Sequence, residues 1–444
     1  MNFKKAFNFL GSDVIKIAQG SFQLFTAEVI SLLLSFIHGI VVARYLNAEG
    51  YGVLTLVVVY VTVVNQLVDF RIREAVVKFG AEFVSQKDQL RQLAYFKLCY
   101  ILDFSTGVLA FLIVFLTAGW AARYIFHLPE TFQFIRFYAL VLLISTVDGA
   151  SQGILTLFER FRWLSFAAVF SAGLKLLTVV IFVSMDFGLE GLLLAYLIAA
   201  FGGSIFLLVL ALKTIKGLVW DKALLAPIGV LRVRFKEIFF FLLNTNLNET
   251  LSLFIRNVDC LLLGYFRPAA EVGYFRMAKN IGECLHIINL PVATALYPHL
   301  AYLFGSRKPK EAVSLLKKLS FALLLLILPL ALFIFFTAPW LVPALLGEKF
   351  YPAVSSLRII LWGIFIAGIF LWLRPTFLAL GRPGILTTIN IFNVLIMLFL
   401  SIILVPRWGY IGSSLIYVFP YAFGHLAALF FLRRNWPEEK QALE

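Results

Sequence analysis

Four residues near the start of the chain, Glu28, Ser31, Ser35 and His38, are spaced i, i+3, i+7 and i+10. Four more, Glu249, Ser252, Arg256 and Asp259, repeat that spacing 221 residues later. On a helix each set forms one polar stripe. Both stripes interrupt apolar runs, where an ionisable group costs about 2.5–3.5 kcal/mol at the centre of a membrane helix and therefore turns to protein or water. Such a stripe either walls a hydrated pathway for a substrate or ion, or forms a hydrogen-bonded seam between helices. The number of ionisable groups favours the pathway. Arg256 and Asp259, three residues apart, could also pair with each other.

Lys175 and Arg374 fall within further apolar runs and are candidate anion contacts, unless their long side chains reach an interface. Asp69, Asp103, Asp148 and Glu283 are either proton or sodium sites or hydrogen-bonded structural acids, the second being the ordinary role of such residues. His286, His299 and His425 lack ligand-like spacing and read as packing residues, and Pro291 and Pro375 could kink their helices. No catalytic constellation is present, and without GxxxxGK[ST] the chain does not itself hydrolyse ATP. The three cysteines are far apart and form no CxxC pair, which gives neither a disulfide framework nor a zinc site. No cofactor is expected.

These residues must be positioned by membrane helices. Of 444 residues 61% are hydrophobic and 14% charged, with a mean hydropathy of +0.94, whereas soluble domains carry roughly 45–50% apolar and about 25% charged residues. A soluble enzyme is excluded. Twelve runs approach the roughly 20 apolar residues a spanning helix needs: 19–42, 52–69, 94–118, 135–157, 162–184, 189–212, 238–263, 275–300, 316–337, 354–378, 384–405 and 411–431. The N-terminus, with Lys4 and Lys5 but no small-residue cleavage site, reads as a partly amphipathic helix and not as a signal peptide.

With the N-terminus inside, 26 of the 38 Lys and Arg residues fall on the inner side and nine on the outer, which places both termini in the cytoplasm. The net charge of +14 is therefore mainly a topology signal, and nucleic acid is not an expected partner; the spans themselves are slightly acidic. The basic connections 70–93 and 213–237 read as amphipathic helices along the inner leaflet, drawn to anionic lipid. Beyond the two stripes, Ala43 corresponds to Gly264 and Tyr45 to Phe266 at the same offset, and after a short insertion Ala48–Tyr51 corresponds to Ala270–Tyr274. The expected architecture is thus an all-α integral membrane protein of about 12 transmembrane helices. They form two six-helix bundles, 1–212 and 238–444, joined by a basic cytoplasmic linker, 213–237, and related by a pseudo-twofold axis along the membrane normal.

Ala43-Arg44-Tyr45-Leu46 followed by Glu49-Gly50-Tyr51-Gly52 resembles the junction between the first two helices of Wzx-type polysaccharide flippases, in the multidrug/oligosaccharidyl-lipid/polysaccharide exporter superfamily. Asp69–Phe79 resembles that family's stretch after the second helix, and Asp259–Gly264 with Glu271–Tyr274 resembles its seventh-to-eighth helix junction. Arg71 stands where that family usually has glycine, which argues against a tight turn there and adds a charge at the inner mouth. The resemblance implies a non-enzymatic transporter of the inner cell membrane. It would move undecaprenyl-pyrophosphate-linked oligosaccharide repeat units to the outer leaflet for surface polysaccharide synthesis. Alternating access would be driven by a Na+ or H+ gradient or the membrane potential, with membrane lipid and a polysaccharide polymerase as potential partners. On that reading Arg256, Arg73, Lys175, Arg374, Ser252 and Ser35 contact substrate, with Arg256 and Arg73 on the pyrophosphate. Glu28, Glu249, Asp259 and His38 are the ion-coupling candidates. A lipid II flippase or a drug/cation antiporter of the same superfamily is the alternative, and a membrane glycan polymerase or ligase the alternative from another class, disfavoured by short outer loops.

Overall fold

The computed structural model describes residues 12–215, 227, 229–231, 235–285, 289–306 and 308–434; most of the expected 213–237 linker and the chain before Ser12 lie outside these. Among the described residues there is no strand. The helices are α1 (Ser12–Val68), α2 (Ile72–Ser85), α3 (Gln89–Trp120), α4 (Phe132–Ile144), α5 (Asp148–Leu157), α6 (Phe161–Ser184) and α7 (Gly188–Ile215). They continue as α8 (Phe235–Phe266), α9 (Ala269–Glu283), α10 (Asn289–Gly305), α11 (Pro309–Leu346), α12 (Ala353–Ile369), α13 (Leu373–Ala379) and α14 (Pro383–Arg434).

Each expected apolar run falls on helix over most of its described length, but several are not single rods. The run 135–157 is divided by a 3-10 turn at Ser145–Val147, and the run 354–378 breaks between α12 and α13. Pro375, the third residue of α13, lacks the N–H that would continue an α-helical ladder from α12. Pro291 holds the same position in α10, beyond the end of α9. In contrast α1 and α14 run through what were expected to be loops, with single non-helical residues at Asn47 (φ 58°, ψ −175°) and Gly409 (φ 54°, ψ −133°). Among the described residues, eight helical segments are long and apolar enough to cross a bilayer. Their outward faces carry large apolar side chains, such as Phe321, Phe333, Phe336 and Trp340 on α11, the last 73% exposed. A surface of this kind requires lipid against it.

The chain forms two compact units. Unit 1 comprises residues through Val41, Val61–Trp120 and Glu130–Thr250; unit 2 comprises Val42–Tyr60, Ala121–Pro129 and Leu251 onward. In unit 1, Ile72, Val76, Phe79 and Phe83 of α2 pack with Leu93, Tyr95 and Phe96 of α3, Ile154 of α5 and Ile215 of α7. The apolar stripe of α2 therefore meets protein and not the inner leaflet, leaving Arg73 and Lys78 exposed on its other side. Gly153 makes the α2–α5 approach possible: a Cβ there would stand 2.6 Å from that of Val76.

The turn into α2 is tight although its residue is Arg71. The backbone is left-handed (φ 53°, ψ 49°), and the Arg71 N–H donates to Asp69 Oδ1 at 3.1 Å. An L-residue in that conformation pays roughly 1–2 kcal/mol.

In unit 2, Leu296, Leu300 and Leu303 of α10 pack with Leu316 of α11, Phe377 of α13 and Leu432 of α14. The Trp372 indole donates to Ser320 Oγ at 2.7 Å, and Ser356 and Ser414 share a buried hydrogen bond of 2.5 Å. Glu271 supports the break in α14: it accepts from Arg267 Nε and from the Tyr410 backbone N–H, each at 2.9 Å. It fills the space beside Gly409, so that a Cβ at Gly409 would lie 1.9 Å from the carboxylate. Asp259 of α8 and Lys279 of α9 are both buried and ion-paired at 2.7 Å, with the Cys260 N–H completing the carboxylate at 2.8 Å.

Two stability changes follow. Arg71→Gly should raise the thermal midpoint in detergent, by the equivalent of up to about 1 kcal/mol once glycine's extra freedom in the unfolded chain is subtracted, whereas Arg71→Val should lower it. Removing either member of the Asp259–Lys279 pair alone should cost about 3–5 kcal/mol by leaving a buried charge unpaired, and Asp259→Leu with Lys279→Met should recover most of it; thermal scans of the three variants check this.

Candidate functional site

The polar stripe of α1 belongs to unit 1 and has an unusual setting. Glu28 and Ser35 are exposed, and Ser31 and His38 are half-buried, with Ser31 Oγ and His38 Nε2 enclosed and lacking a hydrogen-bond partner. Ile30, Leu33 and Ile37 are exposed as well. At about 100° per residue these three centre roughly 150° around the helix from the polar four. One helix thus presents two accessible faces of opposite character.

Lys175 is the fifteenth residue of the 24-residue α6, so its ammonium starts far from either helix end. It turns onto the face of Tyr196 of α7, 4.0 Å from the ring centroid. His38 lies against the same ring at 5.2 Å and Tyr138 of α4 meets it edge-on at 6.3 Å. A cation over an aromatic face keeps its charge with less desolvation loss, worth about 0.5–2 kcal/mol. Lys175 and His38, named separately from the sequence, are thereby brought to one aromatic centre. Tyr138 and Tyr196 carried no signal in the sequence, because a tyrosine inside an apolar run reads as packing. The cluster combines a cation, an imidazole and two phenols, and can donate hydrogen bonds to an anionic or hydroxyl-rich ligand.

The other candidates are placed differently. Arg73 is exposed on the first turn of α2, and Arg374 is exposed as the second residue of α13. Asp259 faces Lys279, twenty residues on, inside unit 2. The side chains of Glu249, Ser252 and Arg256 lie outside the described residues, as does His286. Among the acids, Asp103 Oδ2 accepts from the Ala150 N–H at 2.6 Å, which sets its carboxylate at the N-terminus of α5, where the helix dipole favours negative charge. His299 is exposed, and His425 lies beside Phe370 and Tyr421. Among the described residues no group of three or more His, Cys, Asp or Glu could hold a metal ion, and all three cysteines are free.

The fold is that of known transporters. An inward-facing multidrug-resistance MATE transporter of the MOP superfamily matches with a TM-score of 0.77 at 18% identity, covering 93% of this chain and 96% of that one. The lipid II flippase MurJ in an inward closed conformation matches with a TM-score of 0.70 at 14% identity, covering 92% and 87%. A MOP superfamily transporter from Pyrococcus furiosus, described as having a binding pocket of reverse polarity, matches at 0.63 with 16% identity, covering 95% and 96%. No curated protein sequence matches the chain. The family model described as "Polysaccharide biosynthesis protein" matches residues 41–355. With most of its length inside that model and its helices in the MOP arrangement, the chain is a multi-pass membrane protein belonging to the polysaccharide biosynthesis protein family.

Proposed function

We propose that the protein flips undecaprenyl-pyrophosphate-linked oligosaccharide repeat units from the inner to the outer leaflet of the cell membrane. The observation that carries this reading is the double-faced α1. Lipid can cover Ile30, Leu33 and Ile37, but Glu28 and Ser35 exposed on another face need water, since unpaired polar groups are costly in hydrocarbon. A hydrated wall beside a lipid-facing wall suits a cargo with a glycan head and a polyprenyl tail: the tail stays in the bilayer while the head passes along the polar face. Lys175, with His38, Tyr138 and Tyr196, forms a polar station on the same unit. Arg73 and Arg374 are exposed cations, and Arg256 is the further candidate for the pyrophosphate.

The basic-residue distribution supports cytoplasmic termini. Glu28 is the foremost coupling candidate of the described residues, being an exposed carboxylate on the polar face. A gradient or membrane potential would drive the cycle, at about 2.3 kcal/mol per charge per 100 mV. The alternative of a drug/cation antiporter draws on the MATE likeness, but a lysine in the wall repels cationic cargo, and the family model concerns polysaccharide synthesis. A lipid II flippase would share the same physics with a different glycan.

Deletion should leave lipid-linked repeat units facing the cytoplasm, as assigned by a membrane-impermeant glycan-modifying reagent on sealed vesicles. Accumulation of single units on the outer face would instead indicate a polymerase or ligase. Lys175→Ala should lower export about tenfold or more at normal membrane abundance, in line with roughly 1.5–3 kcal/mol for a charge-assisted hydrogen bond; Arg256→Ala should abolish it. Glu28→Gln should weaken gradient-driven export, and rates that are unchanged with and without the gradient would remove Glu28 from coupling.

A further inference from the structure

The ends of α3 and α11 carry one short sequence twice. Phe115-Leu116-Thr117-Ala118-Gly119-Trp120 and Phe335-Phe336-Thr337-Ala338-Pro339-Trp340 agree at Phe, Thr, Ala and Trp, 220 positions apart. Their settings agree as well. Thr117 and Thr337 each turn a hydroxyl back onto the carbonyl four residues earlier, Ala118 and Ala338 are fully buried, and Trp120 and Trp340 are exposed. Beside each stretch, an arginine of the next long helix is held in the same way. Arg136, the fifth residue of α4, donates through Nε to the Phe115 carbonyl at 3.3 Å, with its guanidinium 4.6 Å from the Phe115 ring centroid. Arg358, the sixth residue of α12, donates through Nε to the Phe335 carbonyl at 3.1 Å, 4.9 Å from the Phe335 ring. The two arginines are 222 positions apart, so the motif and its arginine bracket the 221-residue offset of the polar stripes. One arrangement belongs to unit 1 and the other to unit 2.

Part of this has a structural cause. Pro339 has no N–H to return to the Phe335 carbonyl, and Arg358 replaces that bond. That accounts for Nε alone. A guanidinium keeps four more N–H donors on its two Nη atoms, and among the described residues neither arginine has an ion pair. The flanks they occupy are apolar and turned outward: Leu116 is 75% exposed beside Phe115, and Phe336 is 63% exposed beside Phe335. A positive charge on a lipid-facing flank is costly unless an anion meets it. The exposed tryptophans give the depth, because tryptophan marks the boundary between hydrocarbon and headgroups. Each Phe lies five residues, roughly 7.5 Å of helix, inside its Trp, and the long arginine stem carries its head towards that boundary. The anion found at that level is a lipid phosphate, whose oxygens match the planar fork. With the ring on its face and the carbonyl on Nε, each fork is held in advance, so little side-chain freedom is lost on binding.

We propose that Arg136 and Arg358 form two repeat-equivalent sites for the phosphate of a membrane lipid, one on the lipid-facing flank of each unit. Both lie at the bilayer face where α3 and α11 end, which the basic-residue distribution makes the outer one. The sites do not depend on transport. Their phosphate belongs either to a bulk phospholipid or to a polyprenyl pyrophosphate, and the test separates the two. Full-length protein in detergent is titrated with phosphatidylglycerol, with farnesyl pyrophosphate and with diacylglycerol, which lacks phosphate. Bound molecules are counted by native mass spectrometry. The native protein should hold two phosphate-bearing molecules at least tenfold more tightly than diacylglycerol. Arg136→Gln and Arg358→Gln should each remove one of the two, and the double variant both.

Loss of phosphatidylglycerol assigns the sites to phospholipid, and loss of farnesyl pyrophosphate alone assigns them to a polyprenyl pyrophosphate. Glutamine keeps an amide donor for the carbonyl, so the helix contact survives the exchange. Arg136→Met and Arg358→Met, which suit an apolar flank, form a second pair of variants and should show the same loss. Phosphate-lipid affinities unchanged in the double glutamine variant would make the arginines helix clamps and overturn the proposal. So would equal affinity of the native protein for phosphatidylglycerol, farnesyl pyrophosphate and diacylglycerol, or failure of both the glutamine and the methionine variants to accumulate in the membrane.

Discussion

Hydrocarbon offers no water to a polar group, and the structure of this chain follows from how each such group is accommodated. Three solutions are visible. A charge can be enclosed with its opposite, as Asp259 is with Lys279. It can be laid on an aromatic face, as Lys175 is on Tyr196. Or it can be left exposed, as Glu28 and Ser35 are, on a helix whose other exposed face is apolar. The first solution fixes helices together, because separating the pair strands a charge. The last cannot serve as glue and is what a transport route requires.

The same constraint explains the interruptions. A helix that stops exposes carbonyls and N–H groups at its end, so its breaks need local satisfaction. Glu271 accepts the Tyr410 N–H where α14 breaks at Gly409, and Asp103 accepts the Ala150 N–H where α5 begins. Arg44 covers the final carbonyls of α11. These side chains hold backbone ends, and their acidic or basic character has a structural cause independent of cargo.

Much of the helical layout was legible in hydropathy, since a run of twenty apolar residues has few other folds available. What hydropathy could not show is where a run bends: the Ser145–Val147 turn has no proline or glycine to announce it, whereas Pro375 did mark the α12–α13 break. The apolar periodicity of α2 suggested a helix lying along the inner leaflet, but periodicity does not say whether lipid or protein covers an apolar face; Phe79 and Phe83 pack against α3. Arg71 misled for a related reason. Its missing glycine argued against a tight turn, yet the Asp69 carboxylate holds its N–H in a left-handed geometry. At the site, Lys175 and His38 stood out because ionisable groups are rare in spans. Their meeting at Tyr196 depends on tertiary packing, as does the pairing of Asp259 with Lys279, twenty residues away.

The account as a whole depends on α1 having one face in water and one in lipid. Single cysteines at 28, 30, 33, 35 and 37, in a cysteine-free background and in native membranes, can be reacted with a charged, membrane-impermeant thiol reagent. Rapid reaction at 28 and 35 with inert positions at 30, 33 and 37 is the predicted result. Inert cysteines at 28 and 35, or equal reactivity at all five, would contradict a hydrated route along this helix.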